Sequence, residues 1–254
     1  MKNPLDYFDA IYCINLDRRI DRWKHMLIQF EKLGIADRVQ RFSAIDCDTN
    51  KKRGDIAKQV YGVQGPSINY KWPIPPAVGV ATSHREILIK AREDKLKNVL
   101  VLEDDIEVLD NWKDIMECAL TELDKHIWHL FYLAYEFKDN GMPYKLCGIS
   151  GGNFEGLTKK IGDNLLTYSR GYKHKGVNGA WAIAYNSDVY DRLIESINPF
   201  NRVATGRVGH FDIGLRRMSN LKRFMCNPPC LKVCGGSLGV GDIHNAFQLK
   251  KRKG

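Results

Sequence analysis

The sequence predicts an α/β fold, a parallel or mixed sheet with helices on both faces. Three observations lead there. Short, almost wholly apolar runs recur at Ala10–Leu16, Asn98–Leu102, Trp128–Ala134 and Val177–Tyr185, the pattern of strands buried on both sides. Stretches with apolar residues at helical spacing lie among them, as in Arg22–Leu33 and Trp112–Leu123. No internal repeat or linker interrupts the 254 residues, so the alternation belongs to one domain.

The first strand, Ala10–Leu16, leads into the helix Arg22–Leu33. There Trp23, Met26, Leu27, Phe30 and Leu33 recur every few positions, and Gly34 supplies the stop. Val39–Ile45 reads as a second strand ending at Asp46, and Lys51–Pro76 is polar and without period. Val78–Lys90 starts loop-like at Gly79 and turns helical near Ser83, a suitable N-cap. The buried strand Asn98–Leu102 closes on Glu103, Asp104 and Asp105, and the helix Trp112–Leu123 and the strand Trp128–Ala134 follow. Tyr135–Gly176 is rich in Gly and Lys, with at most a hairpin, and so has the character of a lid or binding loop. Val177–Tyr185 returns to strand. Ser187–Ile197 is a helix with Ser187 as N-cap and Pro199 beyond its end, and Phe211–Met218 is a short helix.

Composition excludes several classes. With 44% hydrophobic and 27% charged residues the chain is neither disordered nor collagen-like, coiled-coil or mucin-like. No window approaches the ~18 uninterrupted apolar residues of a membrane span. Asp6, Asp9 and Asp17 break up the region where a leader's apolar segment would lie, so a soluble, cytoplasmic protein is expected. The seven cysteines are odd in number, and Cys13, Cys47, Cys118 and Cys147 fit reduced thiols better than a disulfide framework. Cys226, Cys230 and Cys234 are evenly spaced, unlike the tight pairs of a zinc site, and Pro228 and Pro229 forbid a helix that would align them.

The net charge of +9 is uneven: residues 215–254 hold nine basic residues and one acidic one, leaving the rest of the chain near neutral. Lys250, Lys251, Arg252 and Lys253 form a terminal basic tail, either solubilising or attracted to an anionic partner.

Three successive carboxylates after a buried strand are the most informative feature. Crowded like charges repel, and a divalent cation such as Mn²⁺ or Mg²⁺ removes the repulsion while sharing its coordination with a diphosphate. The bland alternative is an acidic loop that starts the next helix. The run also looks like the first strand of a receiver domain, but no phosphoacceptor Asp follows the strand Trp128–Ala134.

Seven motifs stand in a telling order: Ile11–Trp23 (IYCINLDRRIDRW), Arg41–Asp46 (RFSAID), Gly79–Leu88 (GVATSHREIL), Val99–Val108 (VLVLEDDIEV), Gly179–Ile194 (GAWAIAYNSDVYDRLI), Gly209–Leu215 (GHFDIGL) and Pro228–Ile243 (PPCLKVCGGSLGVGDI). On these the chain resembles glycosyltransferase family 25, the lipopolysaccharide-type galactosyltransferases and their collagen-glycosylating relatives. The match is poorest through Lys51–Pro76 and Tyr135–Gly176. The resemblance implies a single GT-A, Rossmann-like domain with a mixed, mostly parallel central sheet over residues 1–249. Its nucleotide-sugar half is about 1–134 and its acceptor half about 135–249, with the basic tail at 250–254. It implies transfer of galactose or glucose, with inversion, from UDP-galactose or UDP-glucose to a hydroxyl of a glycan, lipid-linked glycan or glycoprotein.

The resemblance also assigns roles. Asp105 is the expected inner-sphere ligand of Mn²⁺ or Mg²⁺, with Glu103 or Asp104 completing the carboxylate face and His244 as a late-chain ligand. Strand alternation would put Glu103 and Asp105 on one side, which also suits Glu103 to a ribose or sugar hydroxyl. Arg18, Arg19 and Arg22 follow the first strand, where Arg18 and Arg22 suit a diphosphate, while Asn15 and Asp46 suit uridine. Ser83 and His84 stand where a helix N-terminus would face a phosphate or sugar. Asp212 is the expected base, or else the cap of the short helix after it, and Asn178 and Trp181 suit the acceptor pocket.

A second reading makes the chain a non-catalytic, glycosyltransferase-like module that docks on an anionic partner through its basic C-terminus. Thermal denaturation with UDP separates the two. The enzyme is expected to show stabilisation by UDP that requires a divalent metal. The docking module is instead expected to show salt-sensitive heparin retention, lost on deletion of residues 250–254, and no UDP effect.

Overall fold

The computed structural model describes residues 2–46, 75–139, 142–143, 158–168, 176–197, 211, 214–215 and 218–234. The first half contains β1 (Ala10–Asn15), α1 (Ile20–Leu33), β2 (Val39–Ser43), α2 (Pro75–Glu93), β3 (Asn98–Glu103), β4 (Ile106–Val108) and α3 (Trp112–Leu123). Then come β5 (Leu130–Asp139), β6 (Met142–Pro143), β7 (Thr158–Lys160), β8 (Leu165–Tyr168), β9 (Gly176–Asn186), α4 (Tyr190–Ser196), β10 (Arg223–Cys226) and β11 (Leu231–Val233).

The expected mixed α/β sheet is present. Its order is β2-β1-β3-β9-β5-β10-β8-β7, with β6 on β5. β1 is parallel to both β2 and β3, and β10 is parallel to β5. β9 enters between β3 and β5, antiparallel to each, so β2, β1, β3, β5 and β10 all point the same way. β4 and β11 form a separate antiparallel ribbon.

Period-two alternation distributes the core to both faces. Ile11, Cys13, Leu100 and Leu102 join Met26, Phe30 and Leu33 of α1 and Met116 and Leu120 of α3 on one face. Ala10, Tyr12, Ile14, Val99 and Val101 join Ile87, Leu88 and Ala91 of α2 and Leu193 of α4 on the other. The alternation slips once in β5, where Leu133 and Ala134 both belong to the α1 side. A register irregularity between Tyr132 and Ala134 accounts for it.

Several boundaries differ from expectation. α2 begins at Pro75, so Ser83 is interior and not an N-cap. Proline favours the first turn, and Gly79, read as loop, is buried, so packing overrides its low helix propensity. Ser187 opens a short 3₁₀ turn, Ser187–Val189, capped by Asn186, whose side chain accepts from the Asp188 N–H; α4 follows from Val189, which makes no side-chain cap bond. Part of the weakly patterned stretch 135–176 supplies β6, β7 and β8, and β8 is drawn into the sheet against β10. Of the helix expected at 211–218, residues 211, 214 and 215 are helical. The segment 51–74 and the tail 250–254 lie outside the described residues. Cys13, Cys118, Cys226, Cys230 and Cys234 are free thiols, and Cys47 and Cys147 lie outside the described residues. Among the described residues, no helix is long and apolar enough to cross a membrane.

The end of α1 follows its sequence signal. Gly34 takes φ 64°, its N–H donates to the Glu31 carbonyl, and the Ile35 N–H reaches back to Phe30 at 3.0 Å. Asn3 Nδ2 adds a bond to the Leu33 carbonyl at 2.7 Å. Gly34→Ala places a Cβ 3.1 Å from Asn3 Nδ2 in a left-handed conformation. It is expected to lower stability by about 1–2 kcal/mol, measured by urea denaturation.

Candidate functional site

The parallel strands β1, β2 and β3 end together, and their carboxyl ends carry the polar residues. In open α/β sheets this edge is where ligands bind. Here it is organised around a buried charge cluster. Arg22, in the first turn of α1, donates from Nη1 to Asp104 Oδ1 at 2.7 Å and lies 3.6 Å from Asp105 Oδ2. Asn15, the last residue of β1, donates from Nδ2 to Asp104 Oδ2 at 2.6 Å and to the Arg19 carbonyl at 3.2 Å. Its Oδ1 accepts from Arg41 Nε at 3.0 Å and Nη2 at 2.6 Å. All of Asn15, Arg22, Asp104 and Asp105 are buried. Burial works against the Arg22 charge, but Asp104 and Asp105 outweigh it and hold the guanidinium above its usual range.

β3 stops at Glu103, and Asp104 and Asp105 form a turn before β4. The expectation that Glu103 and Asp105 share a side assumed an unbroken strand and is corrected. Glu103 continues the series Val99 and Val101, which face α2, whereas Asp104 and Asp105 both meet Arg22 of α1. Asp105 is the outlier of the cluster. Its Oδ1 is buried without a hydrogen-bond partner among the described residues. Burial first, then the charge of Glu103, raises its carboxyl to about 7 against the pull of Arg22.

The α2 side differs. Ser83 is buried mid-helix; it donates to the Gly79 carbonyl at 2.7 Å and accepts from the Ile45 N–H at 2.9 Å, tying the chain after β2 to α2. His84 is likewise interior and not at a helix N-terminus. Its Nδ1 is 2.9 Å from the Tyr185 hydroxyl, and its Nε2 lies 3.9 Å from Glu103 Oε1. Burial lowers its pKa to about 3, so the ring is neutral. On the rim, Arg18 Nη1 meets Asp46 Oδ2 at 2.9 Å, Arg19 grips Asp21, and Ser43 donates to Asp17 at 2.6 Å.

The structure therefore brings together Asn15, Arg18, Arg22, Asp46, Ser83, His84, Glu103, Asp104 and Asp105. Asp212 and His244 lie outside the described residues, as does the side chain of Asn178. Trp181 is half-buried on β9 against the α1-side core. Sequence reasoning missed Arg41 and Tyr185. A basic residue inside the VQRFS strand was a faint signal for Arg41. Nothing in the local pattern marked Tyr185.

Among the described residues, no three His, Cys, Asp or Glu side chains converge as a metal cage. The buried Asp105 oxygen, without a hydrogen-bond partner among the described residues, is a hard-oxygen donor of the kind Mn²⁺ or Mg²⁺ accepts, while Glu103 stands on the other side of β3.

Comparison with known proteins adds a family. The model of glycosyltransferase family 25 (LPS biosynthesis protein) matches residues 8–146. A solved glycosyltransferase involved in the glycosylation of the major capsid of PBCV-1 is similar with a TM-score of 0.47 and 8% identity, over 92% of this chain and 97% of that one. Mannose-1-phosphate geranyltransferase from Thermus thermophilus is similar with a TM-score of 0.37 and 10% identity, over 85% of this chain and 72% of that one. No curated protein matches significantly.

The cluster makes one variant informative. Arg22→Met leaves Asp104 buried without its cation and is expected to cost about 3–5 kcal/mol in urea denaturation. Adding Asp104→Asn to that variant is expected to recover much of the loss.

Proposed function

The chain belongs to glycosyltransferase family 25, and from that premise we propose that it moves a hexose, galactose or glucose, from a UDP-sugar to a hydroxyl acceptor with inversion, within one GT-A domain. Family membership supports glycosyl transfer from a nucleotide sugar. The metal-assisted part of the reading rests on one observation, the buried Asp105 oxygen after β3, which has no hydrogen-bond partner among the described residues. A carboxylate raised to about 7 by burial costs stability, and such a cost is typical of a group kept for binding or chemistry.

In this reading residues 1–134 bind the donor and 135–249 the acceptor, a glycan, lipid-linked glycan or glycoprotein. The acceptor oxygen forms its bond to the anomeric carbon as the bond from that carbon to the diphosphate oxygen breaks, and UDP leaves with the electron pair. Asp212 takes the acceptor proton. Asp105 and Glu103, with His244 from the late chain, would hold Mn²⁺ or Mg²⁺, which when bound supplies positive charge to the departing diphosphate.

The remaining residues set the stage. Arg22 and Asn15 clamp Asp104 and so fix the turn that presents Asp105. Their side chains are used within the protein, so Arg18 on the rim is the better placed of the arginines to meet phosphate once it leaves Asp46. Asp46 then faces the uridine, and Ser83 holds the backbone before it.

UDP release from UDP-galactose and UDP-glucose in Mn²⁺ tests the proposal. Asp105→Asn is expected to lower turnover by about 10²–10³-fold while leaving the melting temperature unchanged or higher. Full activity in that variant, or in excess chelator, removes the metal assignment. Asp212→Asn is expected to keep UDP binding and lose about 10²–10⁴-fold in transfer, and retained turnover reassigns the base.

A further inference from the structure

The arginines near the carboxyl ends of β1 and β2 are not equally matched. Arg22 is bound to buried Asp104 at 2.7 Å, Arg19 grips Asp21 through two nitrogens, and Arg18 meets Asp46 at 2.9 Å. Arg41, the third residue of β2, differs. Its Nε and Nη2 both donate to one neutral oxygen, Asn15 Oδ1, at 3.0 and 2.6 Å. The acid it reaches, Asp17, lies 3.2 Å from Nη2, is 69% exposed, and already accepts from the Ser43 hydroxyl. Water screens a pair of that kind, so most of the Arg41 charge goes unmatched. Its Nη1 group, with two N–H donors, has no partner among the described residues, and the side chain is 36% exposed.

The guanidinium is nevertheless held still. The Trp23 indole of α1 lies against it, with Cζ 5.2 Å from the ring centroid, and Asn15 fixes its inner edge. Ordering a long charged side chain costs rotamer entropy, and two bonds to one neutral amide oxygen offset little of that. Asn15 ends β1 and also donates to Asp104, so Arg41 stands two hydrogen bonds from the acidic turn, at the strand edge where α/β sheets take their ligands. A pre-ordered guanidinium with unpartnered N–H donors at that edge suits phosphate oxygens. We infer that Arg41 is a binding residue for the diphosphate of the sugar donor, held by Trp23 and Asn15 and donating through Nη1. Arg18 meets phosphate only after it leaves Asp46, whereas Arg41 breaks no such pair. That the diphosphate belongs to a nucleotide sugar rests on the function proposed above; the contact with a diphosphate does not.

Arg41→Gln in the full chain isolates the contact. The Gln amide nitrogen takes the place of Arg Nε, so the donor to Asn15 Oδ1 is kept while the charge and both Nη groups are removed. In calorimetric titrations with Mg²⁺, this variant is expected to bind UDP and inorganic pyrophosphate about 10–100-fold more weakly than wild type, with uridine affinity unchanged. Arg41→Lys, which keeps the charge and loses the fork, is expected to fall between the two. Both variants are expected to melt within about 2 °C of wild type. Unchanged UDP affinity in Arg41→Gln overturns the assignment. So does an equal loss for uridine and UDP, the mark of a general distortion of the site. A second measurement needs no variant to fold. Phenylglyoxal labelling of Arg41 in the wild-type chain, located by peptide mass spectrometry, is expected to slow severalfold when pyrophosphate is bound, and labelling indifferent to pyrophosphate counts against the contact. A wild type that binds pyrophosphate but not UDP keeps Arg41 in its role and removes the nucleotide-sugar donor; one that binds neither removes both.

Discussion

The site depends on one buried guanidinium. Arg22 reaches from α1 across the edge of the sheet to Asp104 and Asp105, and Asn15 and Arg41 close the ring from β1 and β2. Two adjacent carboxylates out of water repel each other, and without the cation the turn that bears them would not stay buried. With it, the turn is anchored from α1 and β1, and its last member is still left with an oxygen that nothing in the described fold uses. Asp104 is consumed in holding the structure, and Asp105 is what the structure holds.

The sheet makes this division possible. Because successive residues of β3 face opposite layers, Glu103 falls to the α2 side and Asp104 to the α1 side. Three neighbours in sequence thus enter two environments. One is a charged network around Arg22; the other is an aromatic pocket in which the His84 ring lies against Tyr185 and Phe211. Crowded carboxylates become tolerable when their surroundings are so unlike.

The ribbon of β4 and β11 adds a third anchor. The Cys234 N–H donates to the Asp105 carbonyl at 2.7 Å, and Cys234 Sγ lies 3.2 Å from His25 Nε2 on α1. Burial, followed by the charges of Glu107 and Asp105, pushes this thiol up to about 12, so it stays protonated and structural. The evenly spaced cysteines thus serve packing: Cys226 and Cys230 are buried in the α1-side core, and Cys234 braces the acidic turn.

Much of this could be read from local pattern. Apolar runs located the strands, helical spacing placed α1 and α3, Gly34 marked the end of α1, and the acidic triplet after NVLVL pointed to the candidate site, because each is a short-range consequence of periodicity, backbone freedom or like-charge repulsion. The start of α2 was misplaced because Gly79 weakens a helix only until it is packed. The partners were beyond reach of any local rule. Arg22 and Asp104 are 82 residues apart, Asn15 and Asp104 are 89 apart, and His84 and Tyr185 are 101 apart. Residue types and spacing tell which chemistry is present, but hydrogen bonds depend on ångström-scale placement. Here that placement comes from β9 folding back between β3 and β5, which brings the Tyr185 hydroxyl to 2.9 Å from the His84 ring and leaves a helix-start histidine of the sequence buried.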